Sequence, residues 1–188
     1  VSLSSLYDRL KEKPFGLIKL NHWKLRRIRQ KMNLFILSLN IRRCAKYMID
    51  KHVHKILLEA VQMLCTAVRV LSPDSDFTGL YRLAHKNHPV SIWCRTSREN
   101  FQWTLDLIEE LHKEWRYRHR HEKTHKSYLV AQQLKMPAAF PEKGLTPFAI
   151  CMPDEYKTDD AVESYRNYYR GDKAKFATWK RRRVPHWY

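Results

Sequence analysis

In the run DKHVHK (Asp50 to Lys55) a carboxylate and an imidazole stand four residues apart, at Asp50 and His54. On a helix that spacing puts both on one face, where an acid/base pair can line a cleft while Lys51 and Lys55, on the neighbouring ridge, neutralise phosphate. The plainer account is a solvated charged ridge, worth roughly a few tenths of a kcal/mol per pair. His52, between them, falls on the apolar side with Met48 and Ile56 and reads as a core histidine. Asn87-His88-Pro89 is a second polar cluster, placed in a loop just before the buried-looking SIW; it suits either a site residue at His88 and Asn87 or ordinary turn chemistry.

The acidic run MPDEYKTDD (Met152 to Asp160) stands out in a basic chain. Asp154 or Glu155 can serve as general base or hold a divalent ion, whereas Asp159 and Asp160 are explained by the dipole of a following helix. No second carboxylate cluster accompanies them, so a two-metal nuclease is not supported. Between Tyr165 and Arg183 the stretch YRNYYRGDKAKFATWKRRR interleaves aromatics with eight basic residues and one acid. Tyr165 and Tyr169 as stacking faces, with Arg166, Arg170, Lys173, Arg181 and Arg182 on phosphates, would make a single-strand nucleic-acid groove. The alternative is that the tyrosines pack inward and the basic face is simply solvated.

HEKTH (His121 to His125) matches the letters of a zinc-protease motif, which needs a helix to bring two imidazoles onto one metal. Its flanks, RYRHR and KSY, are basic and polar where such a helix would be apolar, and no third ligand follows at a recognisable spacing. The run reads instead as the basic end of a helix entering a loop. His125 and Lys126 remain candidates for phosphate or cleft contacts. No metal site and no cofactor is assigned.

The elements that must hold these residues are mainly helical. Ile41, Ala45, Met48, His52, Ile56, Ala60, Met63 and Ala67 recur at three- to four-residue steps, predicting one long helix from 41 to about 71 that ends before Ser72-Pro73. Thr96 to Glu99 spells a capping box ahead of the stripe Phe101, Leu105, Ile108, Leu111 and Trp115, a second amphipathic helix. A last helical stretch runs from about Thr158 to Trp179, with a break at Gly171; loops occupy 73–89 and the proline-marked 135–153. NLFILSLN (Asn33 to Asn40) is the single candidate strand, short and apolar. With only four glycines in 188 residues, a glycine-turned sandwich or barrel is disfavoured, and the fold expected is a single helical domain over 32–188.

Charge decides the class of partner. Thirty-six Lys and Arg against 19 Asp and Glu leave +17, an excess that calls for a polyanion, so nucleic acid leads and an anionic membrane surface or acidic protein follows. No apolar run is long enough to span a bilayer and no secretory leader is evident, so a cytoplasmic location is expected. Cys44, Cys65, Cys94 and Cys151 lie far apart, as free thiols of a reducing compartment do. Residues 1–31 carry nine basic and two acidic side chains and begin on valine rather than Met. They read as an added basic arm or as an overextended reading frame.

NLFILSLN, DKHVHKILLEAVQMLCTA, NHPVSIW, HKS at His125 to Ser127, and TPFAICMPDEYKTDDAVESYRNYYRGDKAKFATW together resemble a family of small proteins encoded by tailed phages and other DNA viruses. The resemblance spans Met32 to the C-terminus and implies a role in DNA processing without assigning any residue a part in it. The reading is therefore a viral nucleic-acid-binding protein, DNA more than RNA, that processes DNA by hydrolysis or base modification in a basic, aromatic-lined cleft. A non-catalytic nucleic-acid or protein-binding module and a nucleotide-metabolising enzyme are the alternatives.

Overall fold

A computed structural model of the chain describes residues 32–188, and the reading of residues 1–31 lies outside them. Among the described residues there are six α-helices and no strand: α1 (Ile41–Tyr47), α2 (Asp50–Leu71), α3 (Pro89–Cys94), α4 (Arg98–His119), α5 (Lys126–Ala131) and α6 (Ala161–Arg170). Single 3₁₀ turns at Asp154–Tyr156 and Ala174–Phe176 complete the regular structure. No helix among these residues is long and apolar enough to cross a membrane.

The two 22-residue helices α2 and α4 pack on each other and organise the rest. From Ile56 to Val68 nearly every side chain of α2 is buried, Leu57, Val61, Leu64 and Cys65 among them, so it is a central helix surrounded by the others. Each such aliphatic contributes about 2 kcal/mol by leaving water. Helix α4 buries Phe101, Trp103, Leu107, Ile108 and Leu111 against it. Its start is one residue later than the capping box implies: the buried Ser97 accepts from the Asn100 N–H at 3.1 Å, while Thr96 Oγ1 donates back to Ile92 O.

The helix expected from 41 to 71 is two helices, and its break has a distant cause. Met48 and Ile49 are extended, although neither is a breaker by type. The buried Arg118 of α4 donates to Met48 O at 2.7 Å and to Lys46 O at 2.9 Å, taking carbonyls at the end of α1 that a continuous helix would use itself. α2 then restarts, with His52 N–H donating to Ile49 O.

The candidate strand 33–40 is a buried, irregular strap instead. Leu34, Phe35, Ile36 and Leu37 are in the core, but Phe35 has φ 51°, in the left-handed region that no strand tolerates. Side chains satisfy its backbone where a neighbouring strand would have done so. Asn33 N–H reaches Glu59 Oε2, Leu37 N–H reaches Cys44 Sγ, and Leu37 O accepts from Arg166 Nε.

The last helix is shorter than expected. Asp160 caps it by accepting from Glu163 N–H, and it ends at Gly171, where a Cβ would stand 2.5 Å from the Tyr156 ring. The glycine is there for close approach. Beyond it the chain runs back across α1, α2 and α4, with Trp179 Nε1 donating to Tyr47 O and Thr178 O accepting from Asp50 N–H.

Candidate functional site

Asp50 is committed to the fold. Both of its carboxylate oxygens accept from Lys180 N–H, at 2.9 and 2.8 Å, and Oδ1 also accepts from Arg118 Nη1 at 3.1 Å. It tethers the C-terminal segment to the first turn of α2 and does not pair with His54. The partners expected for Asp50 thus differ from those found: its carboxylate is tied to Lys180 N–H and Arg118 and not to His54.

His54 has a different partner. The HEKTH run is not a helical motif, since α4 ends at His119 with Arg120 in the left-handed conformation (φ 52°), and His125 is the N-cap of α5. Capping fixes the tautomer of His125. Its Nδ1 accepts from Ser127 N–H at 3.1 Å, so in the neutral ring the proton sits on Nε2, 2.8 Å from His54 Nδ1. Burial first, then the neighbouring His54, His112 and His121, hold the His125 imidazole down to a pKa of about 4, so it is neutral at pH 7. His54 therefore accepts at Nδ1 and carries its own proton on Nε2.

An open cleft of about 360 Å³ lies beside this pair, lined by Asp50, Lys51, His54, Trp115, His119 and His121. His121 lies across Trp115 with ring centroids 4.2 Å apart, and His125 meets the same indole edge-on at 4.9 Å. The buried His112, stacked on Tyr128 at 4.0 Å, accepts from the His125 N–H. Among the described residues no group of three or more His, Cys, Asp or Glu is arranged to hold a metal ion.

Along the next ridge of α2, Lys51 and Lys55 are exposed, and Lys173 of the C-terminal segment, half-buried, feels the charge of Lys55. All three ammonium groups press on one buried imidazole, His52, whose pKa falls to about 3 through burial and then through Lys173, Lys55 and Lys51. His52 is the core histidine expected, stacked on Phe35 at 4.3 Å and hydrogen-bonded to Tyr169 OH at 2.7 Å. Lys51 Nζ rides over the Phe176 ring at 5.0 Å and Lys173 Nζ over that of Tyr168 at 4.1 Å, donating also to Tyr168 OH. Lys55 pairs with Glu59 at 3.4 Å, a carboxyl whose pKa burial pushes up. Burial likewise pulls the Lys173 pKa down, with Asp172 opposing.

The loop and acidic blocks meet each other. His88 caps α3 by accepting from Val90 N–H, and its Nε2 lies 3.9 Å from Cys151 Sγ, while Asn87 is exposed beside it. Tyr165 OH lies 2.7 Å from both Asn33 Oδ1 and Ala149 O, sharing its one proton between them, and accepts from Cys151 N–H; Asn33 in turn reaches Cys151 O and Glu59. Thus NHP, the Cys151 segment, α6 and α2 do adjoin, but through a structural network around Asn33. Asp154 and Glu155 are exposed on their 3₁₀ turn, Asp154 paired with Lys157 at 2.7 Å.

In the C-terminal basic-aromatic stretch the tyrosines face inward while Arg170, Lys175, Lys180, Arg181 and Arg183 are exposed, which matches the alternative of inward tyrosines and a solvated basic face. Tyr165 and Tyr169 are fully buried, so neither offers a face to a base. Arg166 lies over Trp187 and donates to Leu37 O; Arg170 holds Trp187 O, Glu163 and Asn167. Arg182 grips Glu114 through two hydrogen bonds and stacks on Tyr117, and Arg181 donates to Tyr117 O. Of that stretch Lys173 stays with the α2 lysines. Lys126 is exposed at the start of α5. Sequence reasoning passed over Trp115, His119 and His121 as cleft walls and Tyr168 and Phe176 as lysine supports; an aromatic one turn from a basic residue was the only signal available. Comparison with family models, with curated proteins and with solved structures finds no match.

Proposed function

We propose that the protein binds nucleic acid along the exposed edge of α2, with Lys51, Lys55 and Lys173 taking backbone phosphates. The observation that carries this reading is the set of three lysines whose charges act together on the buried His52, opposed by two carboxylates, Glu59 paired to Lys55 and Asp172 acting on Lys173. Like charges so placed repel one another unless an anion arrives, and two of them are held over aromatic rings, so little side-chain freedom is lost on binding. The +17 charge of the whole chain supports a polyanion over a small acid, and the resemblance to virus-encoded proteins favours DNA over RNA.

Anisotropy titrations of labelled single-stranded DNA, duplex DNA and RNA over a range of salt test it. Each phosphate contact contributes a slope of about −0.9 in log K against log salt for duplex and about −0.7 for single strands. The Lys51→Ala, Lys55→Ala, Lys173→Ala triple variant is expected to flatten the slope by about two to three. A wild-type protein without salt-dependent binding, or a triple variant with an unchanged slope, would overturn the proposal; tighter binding of RNA would reverse the preferred polymer.

A second reading, acid/base chemistry on the bound nucleic acid, has one observation in its favour. His54 is oriented by a neutral, tautomer-fixed His125 at the edge of a cleft, the arrangement by which a positioned imidazole moves a proton. Product analysis on labelled DNA decides it: cleavage or base alteration lost in His54→Ala supports chemistry, and no turnover by the wild type leaves a binding module.

A further inference from the structure

We infer that the cleft beside His54 is a nucleotide-end site: it takes a terminal phosphate monoester, with His54 and Lys51 donating to the phosphate and the Trp115 wall against the attached nucleoside. The inference rests on the nucleic-acid reading above and narrows it to a particular chemical group.

Size comes first. A cleft of about 360 Å³ is at the small end of ligand sites, room for about one nucleotide rather than a length of duplex. Its walls are flat rings, Trp115 with His121 across it and His119 beside them, a surface suited to a base or sugar.

Donor balance points to the phosphate. The one carboxylate in the lining, Asp50, accepts from Lys180 N–H and is ion-paired with the buried Arg118 at 3.1 Å, so its negative charge is countered from inside the protein and Lys51 is left to an incoming anion. His125 holds the proton of His54 on Nε2, which makes His54 a donor by geometry. Lys51, fixed over Phe176, adds a full positive charge at the same edge. Two directed donors, one charged, with no free anion opposite suit a group that concentrates two negative charges on terminal oxygens. An internal phosphodiester spreads one charge and needs the chain to leave the cleft on both sides.

His125 is a positioning residue here. It touches no ligand, and its part is to accept from Ser127 N–H and so turn its own Nε2–H onto His54. Glutamine can reproduce both bonds; leucine can make neither.

The experiment measures affinities of the full chain for short oligothymidylates that differ only in carrying a terminal phosphate or a hydroxyl, at fixed salt. Thymidine monophosphate, thymidine and inorganic phosphate serve as competitors. The phosphate-ended oligomer is expected to bind about tenfold more tightly, as a charge-assisted donor pair would give. His54→Ala and His125→Leu should bring that ratio close to one, and His125→Gln should restore part of it, each checked for folding by circular dichroism and melting. Thymidine monophosphate should compete where thymidine does not. A wild-type ratio near one, or a ratio that survives His54→Ala, overturns the inference. Inorganic phosphate competing as well as thymidine monophosphate overturns the nucleoside part of it. Salt-dependent binding of hydroxyl-ended DNA with no end preference would sink this inference and leave the nucleic-acid reading standing; no DNA binding at all would remove both.

Discussion

The imidazole of His52 is buried between Phe35 and Tyr169 and pressed by three ammonium groups, so the folded protein resists protonating it until about pH 3. An unfolded histidine takes up a proton near pH 6.5. The unfolded state thus binds more protons as pH falls below 6.5, and the folded state loses stability through that window, while above it the contribution is complete. We predict that the unfolding free energy, measured with urea, is level above pH 6.5 and declines below it. In His52→Gln the decline between pH 6 and 5 should be shallower by about 1 kcal/mol per pH unit, one proton's worth. An identical slope in the variant would show that His52 is protonated in the native state. The role of His52 as core was legible from its place on the apolar stripe. The pairing of His54 was not, because its partner lies 71 positions away and is oriented by a helix cap.

Helix limits in this protein are set by single polar side chains, some near and some far. Ser97→Ala should cost about 1 kcal/mol, since it removes the acceptor for Asn100 N–H at the head of α4, whereas Thr96→Ala should cost less than half of that. Comparing the two by denaturant unfolding tells which residue caps the helix. Arg118 acts at longer range. Replacing it with Met leaves Asp50 and Glu114 facing each other's surroundings without their shared cation and frees the Met48 and Lys46 carbonyls, so a loss of about 3 kcal/mol is expected. A variant as stable as the wild type would mean that α1 and α2 are separated by something other than Arg118. Periodicity showed both long helices because their burial is local in sequence. It ran through the break at Met48 and Ile49 because the residue that breaks it comes from another helix, and it made a strand of 33–40 because apolarity alone does not reveal Phe35 with positive φ.

For the molecule as a whole, 27 Lys and Arg against 17 Asp and Glu in residues 32–188 must be divided between charge that builds the fold and charge that faces a partner. Arg118 is buried on Asp50 and Glu114, Arg182 also pairs with Glu114, Arg166 holds the 33–40 strap through Leu37 O, and Arg170 holds the tail through Trp187 O. Arginine suits this work, because its planar fork satisfies several carbonyls and carboxylates at once. Lysine dominates the exposed edge of α2, where a compact ammonium on a long stem meets phosphate. The sequence run KRRR looks like the stronger nucleic-acid signal, yet its folded environment assigns Arg182 to structure and Arg181 to Tyr117. The two sets should therefore fail in different ways. Arg182→Ala, which takes a partly exposed partner from the buried Glu114 and leaves it Arg118, is expected to lower the melting temperature by roughly 3 to 6 °C, about 1.5 kcal/mol for a chain of this size, and to leave the salt slope for DNA binding unchanged. Lys55→Ala should lower the slope by about one with a melting temperature within about 2 °C of wild type, because Lys55 is half-exposed and the buried Glu59, its pKa already raised, keeps the Asn33 N–H. If Arg182→Ala flattened the salt slope and Lys55→Ala did not, the partner would sit on the C-terminal segment, and the edge of α2 would be ordinary solvated surface.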